Sequence, residues 1–241
     1  MNYALPLSLT VLAYLIGSLS FAVIISRAMG LHDPRSYGSK NPGATNVLRS
    51  GNKAAAVITL LLDVLKGWLP VFLVQFFGAD YGLREGTVAA VGFAAFIGHL
   101  YPIFFRFQGG KGVATAAGVL IGISPFLGLA TLATFGIVVF FTRYVSLASI
   151  VAAVFAPFYY LLGGGVAWTI EAPIGMAIFA ISAGLVWRHR DNLERLVKGQ
   201  ESRLGAKKSP VVAPSAKTSK THSKALVQHH AVVVTAHVKA A

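Results

Sequence analysis

Five stretches of the chain, residues 4–26, 86–105, 113–142, 144–170 and 172–187, contain no Asp, Glu, Lys or Arg. Between Lys53 and Phe77 a further apolar stretch is interrupted only by Asp63 and Lys66. A helix needs roughly 20 apolar residues to cross about 30 Å of hydrocarbon, so several of these runs are long enough to span a bilayer. The pattern predicts an all-α fold, a polytopic membrane bundle. The first run follows the initiator Met without a basic leader and continues well past a signal-peptide core, so it reads as a retained helix.

The polar breaks set the topology. Residues 27–53 carry Arg27, Arg35, Lys40, Arg49 and Lys53 against one acid, Asp33; residues 106–111 carry Arg106 and Lys111; residues 188–208 hold seven Lys or Arg against three acids. The breaks at 78–85 and 163–172 are not basic. The positive-inside rule places the first group in the cytoplasm and the second outside. One helix over 113–142 would leave Arg143 and the basic C-terminal segment outside. A break at Ser124-Pro125, where proline cannot continue the helix, restores the parity. The piece before it would be about 18 Å long, hence short, tilted or re-entrant. The expectation is about seven transmembrane helices, N-terminus out and C-terminus in; a six-helix chain with an external tail is the alternative.

Composition sharpens this picture. The chain is 55% hydrophobic and 12% charged, about half the charged fraction of a soluble domain. It has no cysteine, which excludes disulfides, a thiolate nucleophile and cysteine-ligated metal. No metal or cofactor is expected. The chain divides into a membrane domain, 1–204, and a tail, 205–241, rich in Lys, Ser, Thr and Ala without acids and expected to be disordered. The tail's charge suits an anionic leaflet; nucleic acid is not an expected partner.

The unusual polar sequence is concentrated on the basic side. "GSKNPGATNVLR", residues 38–49, offers Ser39, Asn41, Gly43, Thr45, Asn46 and Arg49 in a form that makes either an anion-binding turn or an ordinary capped turn. "HLYPIFFRFQGGKGVAT" sets Gly109, Gly110, Lys111 and Gly112 before a helix that contains Thr115. Glycines permit close backbone approach, and the helix start adds free N–H groups, as in a phosphate cradle. It is not a Walker A loop, because Gly112 stands where Ser or Thr is required. Asp63 and Lys66 share a helix face and form either a functional or a structural pair. His99 is an acid/base candidate or a packing residue. Arg143 and Ser146 flank a tight turn whose cation meets lipid phosphate or ligand. In "HRDNLERLVKGQE", His189, Asn192 and Arg195 recur three apart on one face, with Glu201 at the end.

These three motifs, in this order between apolar helices, resemble the bacterial acyl-phosphate-dependent glycerol-3-phosphate acyltransferases, the PlsY family, from about residue 5 to Glu201. The resemblance implies an integral inner-membrane enzyme with its site on the cytoplasmic side. It implies transfer of an acyl group from long-chain acyl phosphate to the 1-hydroxyl of glycerol 3-phosphate, in phospholipid synthesis, without acyl-CoA, carrier protein or cofactor. Its expected partners are these two substrates, membrane lipid and, transiently, the enzyme that makes acyl phosphate. Ser39, Lys111, His189 and Asn192 are then the expected catalytic residues. Asn41, Gly43, Thr45, Asn46, Arg49, Lys66, His99, Gly109, Gly110, Gly112, Thr115, Arg143, Ser146 and Glu201 would bind substrate or phosphate. The base is His189 or a substrate phosphate. Lys40, where the family more often has Gly, and Gln108, where Lys is frequent, depart from the common pattern. A transporter for a phosphorylated solute is the rival class; it would place such groups at the midplane of repeated halves, and no internal repeat is evident.

Overall fold

The computed structural model describes residues 3–205, and among these the only regular elements are helices. In chain order they are α1 (Ala4–Gly17), α2 (Phe21–Ala28), α3 (Ala44–Leu48), α4 (Lys53–Phe77), α5 (Glu85–Leu100), α6 (Val113–Ile123), α7 (Pro125–Thr142), α8 (Val145–Leu162), α9 (Ala172–Arg188) and α10 (Arg190–Val197), with short 3-10 turns after α4 and α5. Four helices are long and apolar enough to cross a bilayer, and the bent pairs α1–α2 and α9–α10 raise the number to six. The remaining member of the expected seven is α6, whose 11 residues reach only about 17 Å. Apart from Gly205, the expected basic tail lies outside the described residues.

Local chemistry explains the helix ends. Ser124 is extended (φ −154°, ψ 125°) and Pro125 occupies the first turn of α7, where its missing N–H has no intrahelical role. The expected break falls there. Asn52 caps α4, its Oδ1 accepting from the Ala55 N–H at 2.9 Å.

The run 4–26, expected as one helix, is instead two helices bent by 45°. The bend at Ser18–Ser20 is stabilised both from a distant helix and locally. The ammonium of Lys66, on α4, donates to the Leu19 carbonyl at 2.8 Å, and Ser18 Oγ donates to Tyr14 O at 2.8 Å. Irregular backbone at membrane depth is tolerated where protein groups satisfy it.

α6 lies against α4 with backbone in contact. A Cβ on Gly67 would fall 2.1 Å from Thr115 O, and one on Gly118 would fall 2.0 Å from Val64 O, so only glycine permits this approach. Phe96, Val119, Leu127, Ile178 and Ile181 fill the core between α5, α6, α7 and α9. The outer face of α7 shows Phe126, Leu129, Ile137, Phe140 and Phe141, an apolar surface matched to lipid.

A buried polar chain crosses the bundle beneath the glycine-lysine loop. Asp63 and Lys66 are 2% and 3% exposed, and their charged groups approach to 2.8 Å. Asp63 Oδ1 lies 3.7 Å from His99 Nδ1, which is 3.0 Å from Thr115 Oγ1. Lys66 and Thr115, expected to meet substrate, are therefore internal. Together with His99 they tie α4, α5 and α6 to the bend between α1 and α2.

Candidate active site

The first polar loop closes on itself through one side chain. Asn46 Nδ2 donates to Pro34 O at 2.6 Å and Tyr37 O at 3.1 Å, and its Oδ1 accepts from Ser39 N at 3.0 Å. Both amide hydrogens are used, so Asn46 is a strut for the loop. Gly43 starts α3 in an extended conformation. Thr45 is exposed on α3, whereas Ser39 and Asn41 reach the cavity described below.

The glycines of the second loop answer to packing. A Cβ on Gly110 would lie 2.3 Å from His99 Nε2 and 2.9 Å from Pro42 O; Gly112, at φ +86°, would place one 2.4 Å from the Phe96 ring. The loop is thereby pressed onto the end of α5 and against the first loop. Gly110 N donates to His99 O at 3.2 Å. From the other side Arg188 donates Nε and Nη2 to Gly110 O at 3.1 and 2.9 Å, and Nη2 to Gly109 O at 3.1 Å.

These segments enclose a polar cavity of about 180 Å³ lined by Ser39, Lys40, Asn41, Gly109, Lys111, Arg188, Arg190 and Asp191. Four of its lining residues were expected in the site: Ser39, Asn41, Gly109 and Lys111. Lys40, Arg188, Arg190 and Asp191 were not singled out as site residues. Arg188 and Arg190 flank His189 in the third motif. The amide-rich loop and the glycine-lysine loop share one cavity and so lie at the same end of the bundle.

Behind Lys111 stands a carboxylate. Lys111 Nζ donates to Asn192 Oδ1. Asn192 Nδ2 donates to Glu201 Oε1 at 2.7 Å, Ser146 Oγ donates to the same oxygen at 2.7 Å, and Arg195 Nε donates to Glu201 Oε2 at 2.8 Å. Glu201, expected to bind substrate, instead orients the residue that holds Lys111. Burial pushes its carboxyl pKa up, but the hydrogen bonds from Ser146, Asn192 and Arg195 outweigh that and hold it below the ordinary value. The segment after Glu201 continues as a strap. Ser202 Oγ accepts from Arg49 Nη2 at 2.9 Å, and the Leu204 backbone exchanges hydrogen bonds with Arg143, N–H to carbonyl at 2.7 Å and guanidinium to carbonyl at 3.1 Å. Arg49 and Arg143 thus hold the strap. His189 is buried, with Nδ1 donating to Leu185 O at 2.8 Å, which leaves Nε2 as the basic nitrogen of the neutral ring.

Lys111 stands in the loop between α5 and α6. Burial lowers its pKa to about 8, opposed by the charge of Glu201 and reinforced by Arg195 and Arg188. Among the described residues no cluster of His, Asp and Glu could hold a metal ion.

An apolar helical exterior, a buried polar network and a cation-rich cavity at one end define an integral membrane protein with a polar site at the mouth of its bundle. The family model for glycerol-3-phosphate acyltransferase matches residues 7–199. Glycerol-3-phosphate acyltransferase of Albidiferax ferrireducens is 65% identical over 84% of this chain and 90% of its own. That of Paraburkholderia phymatum is 61% identical over 88% and 98%. Among solved structures, the crystal structure of PlsY (YgiH), an integral membrane glycerol 3-phosphate acyltransferase, in its glycerol 3-phosphate form superposes with a TM-score of 0.76 at 38% identity, over 83% of this chain and 96% of that one. The lysophosphatidic acid form gives 0.75 at 36% identity, over 83% and 95%. The chain belongs to the glycerol-3-phosphate acyltransferase family and is an acyltransferase.

Proposed function

We propose that the protein moves a fatty acyl group from long-chain acyl phosphate to the 1-hydroxyl of sn-glycerol 3-phosphate, yielding 1-acylglycerol 3-phosphate and inorganic phosphate at the cytoplasmic face of a bacterial inner membrane. The observation that carries this reading is the cavity itself, where Lys40, Lys111, Arg188 and Arg190 converge with Ser39 and Asn41. Both substrates are phosphates, and such a concentration of cations offsets their mutual repulsion. The similar solved structures, described as glycerol 3-phosphate and lysophosphatidic acid forms, support the acceptor and the product. The acyl-phosphate donor rests on the resemblance of the three motifs.

The chemistry is compact. The hydroxyl oxygen of glycerol 3-phosphate attacks the acyl carbon. An ester C–O bond forms, the C–O bond to phosphate breaks, and phosphate leaves with the electron pair. The hydroxyl proton passes to His189 or to phosphate. An acyl phosphate is a mixed anhydride with a good leaving group, so no covalent enzyme intermediate is required. Positioning of the two reactants supplies up to about 7–11 kcal/mol of the barrier. Lys111, held by Asn192, stabilises the charge that builds on the departing phosphate.

Purified protein given acyl phosphate and glycerol 3-phosphate should release inorganic phosphate and form lysophosphatidic acid in equal amounts. Activity with acyl-CoA and none with acyl phosphate would reject the donor; solute uptake into proteoliposomes without phosphate release would favour transport.

Two further outcomes follow. Lys111 is cationic below its pKa of about 8 and neutral above it, so kcat/KM should fall as pH rises through about 8, whereas saturating phosphate should move the kcat inflection upward. A flat kcat/KM profile to about pH 9.5 would mean that this cation is not needed. Replacing His189 with Ala should reduce kcat by about 10²–10⁴-fold if its Nε2 takes the proton. An unchanged kcat with raised KM would make it a binding residue and leave phosphate as the base.

A further inference from the structure

We infer that Arg188 is a positioning residue that fixes the direction of the Gly110–Lys111 peptide, and so decides whether the glycine-lysine loop presents an N–H or a carbonyl to an anion. The inference rests on the functional reading above. Its basis is the fork-shaped grip already described: Nε and Nη2 take the carbonyls of Gly109 and Gly110, while Gly110 N is taken by His99 O. The Gly109–Gly110 peptide is thus held at both its carbonyl and its N–H, and the Gly110–Lys111 peptide at its carbonyl alone.

In a trans peptide the carbonyl and N–H point in opposite directions. With the Gly110 carbonyl turned to Arg188, the Lys111 N–H is directed away from it. Among the described residues that N–H has no acceptor. Glycine makes a flip of this peptide inexpensive, because Gly110 carries no Cβ to resist it. Were the peptide to turn over, a carbonyl dipole would occupy the place of the N–H, and attraction for phosphate would become repulsion. A planar guanidinium matches two adjacent carbonyls; an ammonium on a flexible stem does not. Arg188 packs over the Tyr101 ring, with its Cζ 5.8 Å from the centroid, which seats the fork. Arg188 also ends α9 and directly precedes His189, so the same grip keeps the loop in register with the residues that follow it.

The test compares Arg188→Lys and Arg188→Ala with wild type, using glycerol 3-phosphate, acyl phosphate and inorganic phosphate as probes. Arg188→Lys keeps the charge and loses the fork. It should raise the KM for at least one phosphate substrate, and the inhibition constant of inorganic phosphate, by about tenfold or more, with a smaller change in kcat. Added guanidinium, and not ammonium at equal ionic strength, should restore affinity to Arg188→Ala. Wild-type KM values in Arg188→Lys would show that charge alone suffices and overturn the inference. So would equal rescue by both cations, or failure of both variants to give a folded, monodisperse protein, which would assign Arg188 to folding. Absence of acyl transfer in wild type itself would instead reject the functional reading.

Discussion

Replacing Lys111 with Ala should lower kcat/KM by about 10²–10³-fold, the range for removing one preorganised charge-stabilising donor, while the protein still inserts and folds. The side chain is half-buried in a loop that other groups hold: His99 and Arg188 grip its backbone from either side. Its removal therefore deletes a charge without dismantling the cradle. It also frees Asn192, whose Oδ1 receives Lys111 Nζ, although Asn192 remains bonded to Glu201 at 2.7 Å. Steady-state kinetics beside a thermal-unfolding scan separate the two effects. Turnover within about threefold of wild type would remove Lys111 from the mechanism.

Replacing Asp63 with Ala should have the largest effect on stability. The Lys66 ammonium, 3% exposed, would keep only the Leu19 carbonyl and the Phe21 ring, whose centroid is 5.6 Å away. Breaking a buried ion pair from one side costs about 3–5 kcal/mol, because the surviving charge is left uncompensated. The double variant Asp63→Ala with Lys66→Met should recover a large part of that loss. The cycle of four proteins, followed by unfolding in detergent, measures the coupling. A single variant as stable as wild type would show that water or lipid phosphate already compensates Lys66.

The sequence made some of this architecture readable and concealed the rest for physical reasons. Charge-free runs marked the helices, since a charge facing lipid is costly through the middle of a span. Pro125 announced the break after Ser124 because a proline ring acts on its own neighbours. The bend at Ser18–Ser20 was marked only by Gly17 before it, whose tight contact is with Ala95 on α5, and its compensation comes from Lys66, 47 residues from Leu19 in the chain. The glycine-lysine loop stood out by its composition, yet the demand for Gly110 and Gly112 comes from His99, Pro42 and Phe96, which no local motif discloses. Asn46 and Glu201 resembled ligand-binding residues by type. Their hydrogen bonds are instead spent inside the protein, a distinction that depends on how loops close. Arg188 carries no local mark of its role, because the Gly110 and Gly109 carbonyls that it holds lie 78 and 79 residues away in the chain.

The mutual seat of Gly67 and Gly118 turns α6 into a depth gauge. With carbonyls of the facing helix about 2 Å from where either residue would carry a methyl group, α6 has no freedom to creep along α4; the next equivalent register lies a full turn, about 5.4 Å, away. The loop at its head is fixed at one height accordingly. A lineage that needed to raise or sink its polar chamber relative to the surrounding fatty tails would have to rebuild this crossing, whereas the lipid-facing side of α7 is free to drift.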